Sequence, residues 1–243
     1  MRPAVIERPR PENAGNRTPR VAAVHVAIVP LTACPTTVAT LWPLLEVEQR
    51  RRATAFKQPI LAARFIIAHG VLRRALSVWT GTPSEALTFH VGPWGKPSLA
   101  SGPFFNLSHG GNILLLGISA DFEIGVDVEA ARLAGHETDI LETLPPVDRT
   151  RIRLLPQDAQ ARATLQAWTR MEAALKARGI GLGAERQESD CDLWISDLPI
   201  DEQHVASLAV KGGPAEVSCS RFASSEEALE SFELHAFRSN ADA

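Results

Sequence analysis

Ile124-Gly125-Val126-Asp127-Val128-Glu129 is a short apolar stretch that carries two acids at alternate positions. Side chains alternate along a strand, so Val126 and Val128 share one face while Asp127 and Glu129 share the other, roughly 6 to 7 Å apart at their Cα atoms. That spacing suits two ligands of one metal ion. Without a cation, two carboxylates on one partly buried face repel each other and resist desolvation, so one protonates or both find positive partners. An isolated pair of this kind also has an ordinary reading, as the wetted face of a sheet.

The residues before this strand predict two more, Phe104 to Leu107 and Ile113 to Ser119, with the polar turn Ala120-Asp121-Phe122-Glu123 delivering the chain into the acidic segment. Three consecutive strands of this kind predict a β-meander. Between the first two lies Ser108-His109-Gly110-Gly111, where paired glycines permit close backbone approach and a hydroxyl, an imidazole and free N–H groups suit a phosphate. Further upstream Leu87, Phe89 and Val91 alternate as a strand, and the turn Gly92-Pro93-Trp94-Gly95-Lys96-Pro97 holds Lys96 in a rigid loop.

A helix is predicted from Pro59, favoured in a first turn, to about Trp79, with Leu61, Phe65, Ala68, Leu72, Leu76 and Trp79 as its buried stripe. Arg64, Arg73 and Arg74 fall off or beside that stripe, on what reads as a solvated face. Leu44 to Phe56 reads as a shorter helix bearing Arg50-Arg51-Arg52, and Val21 to Val29 as a first strand in which His25 is an ordinary residue. On the other side of the acidic strand, Pro145, Pro146 and Pro156 limit any helix between Ala130 and Gln157 to about two turns. Helical periodicity returns from Asp158, a candidate cap, to Arg178, with Gly179 as its stop and Gly181 and Gly183 following. Glu172 lies at the buried face of this helix and needs a partner, either Lys176 one turn on or the Asp127 and Glu129 pair. Leu193-Trp194-Ile195, His204 to Val210 and Ala215 to Phe222 read as closing strands.

The chain has 243 residues, 45% of them hydrophobic, enough for a substantial core. With 25 basic against 28 acidic residues and a net charge of −3, bulk electrostatics recommends neither nucleic acid nor an anionic membrane as partner. Cys34, Cys191 and Cys219 form no C-x-x-C pair, which argues against a disulfide framework or a zinc knuckle and for a reducing cytoplasm. No apolar run approaches a membrane span, and the N-terminus lacks the core of a signal peptide. The order of elements predicts an α+β protein divided as a disordered tail over 1–20, an N-terminal half over 21–121, a C-terminal half over 122–223 and a polar tail over 224–243.

Three separated stretches together resemble the signature motifs of one family, the Sfp-type 4′-phosphopantetheinyl transferases. They are Gly95-Lys96-Pro97 with Phe105-Asn106-Leu107-Ser108-His109, then Gly125-Val126-Asp127-Val128-Glu129, then Trp168-Thr169-Arg170-Met171-Glu172-Ala173-Ala174-Leu175-Lys176-Ala177. Their order and spacing match, and the likeness extends from about Val21 to Val210. The resemblance implies a pseudo-dimer of two similar α+β halves with the active site in the cleft between them. It implies transfer of the phosphopantetheine arm of coenzyme A to a serine of an apo acyl or peptidyl carrier protein, with release of 3′,5′-ADP, by a monomeric enzyme. By motif position Asp127, Glu129 and Glu172 would hold Mg²⁺, and hard oxygen donors without a His or Cys cluster agree with that ion. Asp127, Glu172, His109 and Lys176 would form the catalytic centre, with Glu172 as the candidate base, directly or through a metal-bound water. Lys96, Ser108, His109 and Lys176 would bind coenzyme A phosphates, and Arg52 and Arg64 the side of the adenosine 3′-phosphate.

Two departures bear on that transfer. Met171 stands where many members have Lys, and no aromatic-Ser-x-x-Glu pattern is recognisable between Leu141 and Leu155. A degenerate module that binds carrier protein or coenzyme A without turnover, or a Mg²⁺-dependent diphosphate hydrolase, would use the same residue types.

Overall fold

The computed structural model describes residues 22–131, 137–182 and 192–234. The predicted tail over 1–20, Gly183 and Cys191 lie outside them. The architecture is α+β. In chain order it runs β1 (Ala22–Pro30), α1 (Pro35–Leu41), α2 (Val47–Thr54), α3 (Pro59–Thr80), β2 (His90–Val91), β3 (Pro97–Ser98), β4 (Phe104–Gly110), β5 (Ile113–Ser119) and β6 (Ile124–Ala130). It continues with α4 (Glu137–Thr143), α5 (Pro146–Arg153), α6 (Gln157–Arg178), β7 (Leu193–Asp197), β8 (His204–Lys211), β9 (Ala215–Arg221) and α7 (Ser225–Leu234).

Two sheets carry the fold, one ordered β4-β5-β1-β9 and the other β6-β8-β7. The alternation of β1 explains why they stack: Ala27 and Val29 point into a core shared with α3, while Val24, Val26 and Ile28 point into a second core shared with Val126, Val128 and Leu208 of the other sheet. Strand β5 divides in the same way, with Leu114 and Leu116 facing one core and Ile113 and Leu115 the other, so its sequence shows no polar alternation. Helix α6 covers the far side of the second sheet through Ala173, Ala174 and Ala177, which pack with Ala209. The layers therefore read helix, sheet, sheet, helix.

This arrangement corrects the expected meander. Both edges of β5 are taken, by β4 and by β1, so β6 cannot pair with it. Instead β6 crosses to the second layer and pairs antiparallel with β8, placing Asp127 opposite Ser207 and Glu129 opposite Val205. Strand β9 likewise leaves its chain neighbour and lies parallel to β1, Val24 opposite Val217.

Several local expectations also change. Only His90–Val91 of the segment from Leu87 forms a strand, because a helical turn over Ser84–Ala86 precedes it. The helix expected over Leu44 to Phe56 shortens to α2, with Glu46 and Gln49 forming a capping box. In α6 the capping position belongs to Pro156, and Asp158 sits in the first turn. Leu61 is exposed at the start of α3, whereas Arg73, expected on a solvated face, is wholly buried. Its guanidinium is satisfied there by Gln49 Oε1 (2.9 Å), the carbonyls of Ser84 (2.8 Å) and Leu87 (3.0 Å), and the carboxylate of Glu46. Part of the segment assigned to a polar tail is helix α7, which buries Ala228 and Phe232 in the α3 core.

Helix α6 sits directly on β6 at Gly125. A Cβ at Gly125 would stand 2.1 Å from the Ala173 carbonyl oxygen and 2.4 Å from the Ala177 nitrogen, both of them helix backbone. Substitution of even one methyl must therefore push the helix off the strand. Gly125→Ala is expected to cost about 1 to 3 kcal/mol by overpacking, lowering the midpoint of thermal unfolding by roughly 3 to 10 °C, as measured by circular dichroism.

Candidate functional site

Strands β4 and β6 and helix α6 converge where the two sheets cross. Because β6 pairs with β8 on one side only, its other edge needs partners, and Asn106 of β4 supplies one: its Oδ1 accepts the Val126 N–H at 2.9 Å in the interior. Two residues on, Ser108 Oγ donates to Asp127 Oδ1 at 2.8 Å. Lys176, brought over the strand by the bare backbone at Gly125, donates to the same Asp127 Oδ1 at 2.5 Å and to Ser108 Oγ at 3.1 Å. One residue from each of the three sequence motifs' core elements thus meets in a single hydrogen-bonded cluster. At the end of β4, a Cβ on Gly110 would lie 2.3 Å from the Val128 carbonyl oxygen, so only glycine lets this strand pass so close to β6.

The acids around this cluster are held under electrostatic tension. Burial first, and then the neighbouring Asp127 carboxylate, push Glu129 up to about 7, against the opposing pull of Lys176 and a hydrogen bond from Trp168. Burial likewise raises Glu172, with Lys176 opposing and Asp127 reinforcing the rise. Asp127 Oδ2 and Glu172 Oε1 are both sealed from solvent and have no hydrogen-bond partner among the described residues. Two orphaned carboxylate oxygens, in acids that act on one another, form a site with spare capacity for positive charge. As the side chains stand, no three Asp, Glu, His or Cys groups among the described residues close around a common point. Lys176 supplies the counter-charge on Asp127 instead. It serves there rather than as a simple i to i+4 partner of Glu172.

Lys96 is more tightly engaged than a loop lysine. It pairs with Glu123 at 2.6 Å and donates to the carbonyls of Ile124 (3.1 Å) and Ala177 (3.3 Å), tying its loop to the start of β6 and the end of α6. A cleft of about 170 Å³ lies beside it, lined by Pro97, Phe104, Phe105, Glu123 and Gly179 among others. A larger recess of about 440 Å³ at the end of α3, lined by Trp79, Thr82, Leu99 and Ser101 among others, contains none of the sequence-predicted site residues. His109 is exposed at the end of β4 and Arg52 is exposed on α2, yet both act electrostatically on His69 of α3, which places them on one side of the molecule. Arg52 lies 5.3 Å from the centroid of the Phe65 ring. Arg64 is partly buried, and its Nε has no partner. Met171 removes a cation that its neighbour does not replace, because Arg170 is held by both oxygens of Asp197 at 2.8 and 2.5 Å.

Sequence reasoning missed the structural work of Asn106, Gly125, Trp168 and Glu123. Asn106 and Trp168 were legible only as letters within motifs. Gly125 carried a usable signal, a glycine inside an otherwise β-branched strand, which marks a close backbone approach.

Comparison with known proteins bears on the whole arrangement. A family model described as the 4′-phosphopantetheinyl transferase superfamily matches residues 123–232. The chain is 30% identical over 213 residues to the 4′-phosphopantetheinyl transferase HetI of Nostoc sp., covering 78% of this chain and 88% of that protein. It is 31% identical over 144 residues to a putative 4′-phosphopantetheinyl transferase, slr0495, of Synechocystis sp., covering 57% and 58% of the two chains. Similarity to 4′-phosphopantetheinyl transferase AcpT of Salmonella typhi is 29% over 125 residues, covering 50% of this chain and 62% of that one.

The elevated Glu129 makes a prediction for the protein kept in chelator. A carboxyl whose folded value exceeds its unfolded one stabilises the fold below the unfolded value, and that contribution is lost as pH rises through the folded value. Stability is therefore expected to fall between pH about 4.5 and about 7 on account of Glu129. Denaturant unfolding of Glu129→Gln should show this part of the slope removed, with the variant the more stable of the two at pH 8.

Proposed function

Because the chain belongs to the 4′-phosphopantetheinyl transferase superfamily, we propose that it transfers the 4′-phosphopantetheine arm of coenzyme A to a serine hydroxyl of an acyl or peptidyl carrier protein. The observation that carries this reading is the cluster of Ser108, Asp127 and Lys176, flanked by the orphaned oxygens of Asp127 and Glu172. The serine oxygen forms a bond to the phosphorus attached to pantetheine, the bond from that phosphorus to the bridging oxygen breaks, and 3′,5′-ADP leaves with the electron pair. Such displacement depends on alignment and on neutralising charge over the phosphoryl oxygens, and it asks for no protein nucleophile.

Each residue has a part in that scheme. Glu172, whose value burial raises, is the base that takes the serine hydroxyl proton. Lys176 and Ser108, already bonded to one another, turn toward the diphosphate oxygens, and Lys96 and His109 extend the rim of phosphate-binding groups. Arg52 and Arg64 face the adenosine 3′-phosphate. Asp127, Glu129 and Glu172 would hold Mg²⁺: their hard oxygens, two of them without partners, fit an ion that takes a few carboxylates together with phosphate oxygens. When bound, the ion supplies positive charge against the diphosphate and relieves the mutual repulsion of the three acids.

The two 22-residue helices, α3 and α6, we read as counterparts in a pseudo-dimer of two halves, with this cluster in the cleft between them. A single copy then contains a whole site, so the working form is a monomer, acting in the cytoplasm. Met171 motivates the second reading, a module that binds coenzyme A or carrier protein without turnover.

The test is transfer of a fluorescent coenzyme A derivative to a panel of apo carrier proteins, followed by intact mass. Labelling is expected with at least one carrier, lost in EDTA and restored by Mg²⁺. Asp127→Ala and Glu172→Ala should each slow it by about a hundredfold or more. Tight coenzyme A binding with no 3′,5′-ADP release across the panel would favour the binding module, and undiminished labelling by both variants would reject the site.

A further inference from the structure

The side-chain amide of Gln49 is oriented by its neighbours. Its Oε1 accepts from the buried Arg73 Nε at 2.9 Å and from the Glu46 backbone N–H at 3.1 Å, so Oε1 is the oxygen and Nε2 is the donor. That donor lies 3.1 Å from His69 Nδ1. Nδ1 must therefore accept, and the neutral His69 ring carries its proton on Nε2. Among the described residues Nε2 has no hydrogen-bond partner, and it is not one of the sealed polar atoms of the interior. The ring itself is clamped, packed against Phe65 with centroids 4.1 Å apart.

We propose that His69 is a hydrogen-bond donor to the 3′-phosphate of coenzyme A, presenting Nε2–H on the side of the molecule that carries Arg52 and His109. The inference rests on the transferase reading and adds to it a residue that none of the motifs contains. Its surroundings explain why the ring stays neutral. Burial lowers His69 to about 4, and the charges of Arg52 on α2, His109 on β4 and Arg73 on α3 push in the same direction. With its value lowered to about 4, the ring stays neutral around pH 7, so it offers one fixed donor where an imidazole titrating near pH 7 would offer a variable one. Glu46, on the far side of Gln49, pairs with Arg73 and offsets part of that buried positive charge. The chain of contacts from Arg73 through Gln49 to His69 is thus a positioning device, and His69 is the member that touches substrate.

The experiment compares coenzyme A with 3′-dephospho-coenzyme A, using calorimetric dissociation constants and steady-state transfer to an apo carrier protein. His69→Ala is expected to weaken coenzyme A about tenfold and leave 3′-dephospho-coenzyme A within twofold, the second ligand showing that the variant is folded. The loss should fall on KM with kcat little changed. His69→Gln, which keeps an N–H at a similar reach, should recover most of the affinity. Long-range ¹⁵N correlation of the His69 ring in the wild-type protein should show Nε2 protonated and Nδ1 unprotonated from pH 5.5 to 8.5. Equal weakening of both ligands, unchanged affinity for both, or a ring protonated at Nδ1 would overturn the proposal while transfer by the wild-type protein continued. Failure of the wild-type protein to bind coenzyme A would instead overturn the transferase reading together with this one.

Discussion

Helix α6 lies directly on strand β6 because residue 125 has no side chain, and the geometry of the site follows from that contact. Backbone meets backbone at Ala173 and Ala177, which sets the height of the helix above the sheet. At that height Lys176 reaches Asp127 and Ser108, and Glu172, one turn earlier, comes near enough to Asp127 to feel its charge. The other side of β6 is fixed as closely, by the Asn106 amide on the Val126 N–H and by the bare backbone of Gly110 against Val128. A strand gripped on both flanks keeps its two outward acids in one orientation. Such rigidity in the groups that carry chemistry is what positioning requires.

Charge is distributed by place rather than in bulk. The whole chain is slightly acidic, yet cations gather around the crossing of the two sheets: Lys96 and Lys176 at its centre, Arg52 farther out. The acids they meet are partly buried, and that burial raises Glu129 and Glu172. Some of the apparent redundancy of lysines is structural. Lys96 spends its donors on Glu123 and on two carbonyls, so it holds its loop to α6 as much as it offers charge to a ligand.

The long helices and the acidic strand were legible in sequence because each has a clean signal: 3.6-residue periodicity in α3 and α6, alternation in β6, glycine at the end of α6. Pairing between strands was not legible, and the expected meander failed for that reason. The segment from Ile113 to Ser119 is apolar on both faces, so its pattern could not say that β1, far away in sequence, already occupied the edge that β6 would need. Arg73 was misread because periodicity counts an arginine as a surface residue; four protein acceptors make its burial tolerable, and they come from separate segments. For the site, spacing alone could join Asp127 to Glu129. Bringing Ser108 and Lys176 to them required knowing that two sheets cross, which no local pattern encodes.

Strand β9 closes the first sheet by running parallel to β1, with residues almost two hundred positions apart held side by side. Pairings of such long sequence separation form late, since the loop between the partners must be closed before any contact rewards it. On a ribosome, β1 waits with one flank unpaired until the end of the described chain emerges, and α7 then seats Phe232 beneath α3. The segments on either side of residue 121 are consequently not two independent folding units laid end to end. A segment made late thus completes the sheet begun by β1, and a single cut near residue 121 would leave β1 with a raw edge.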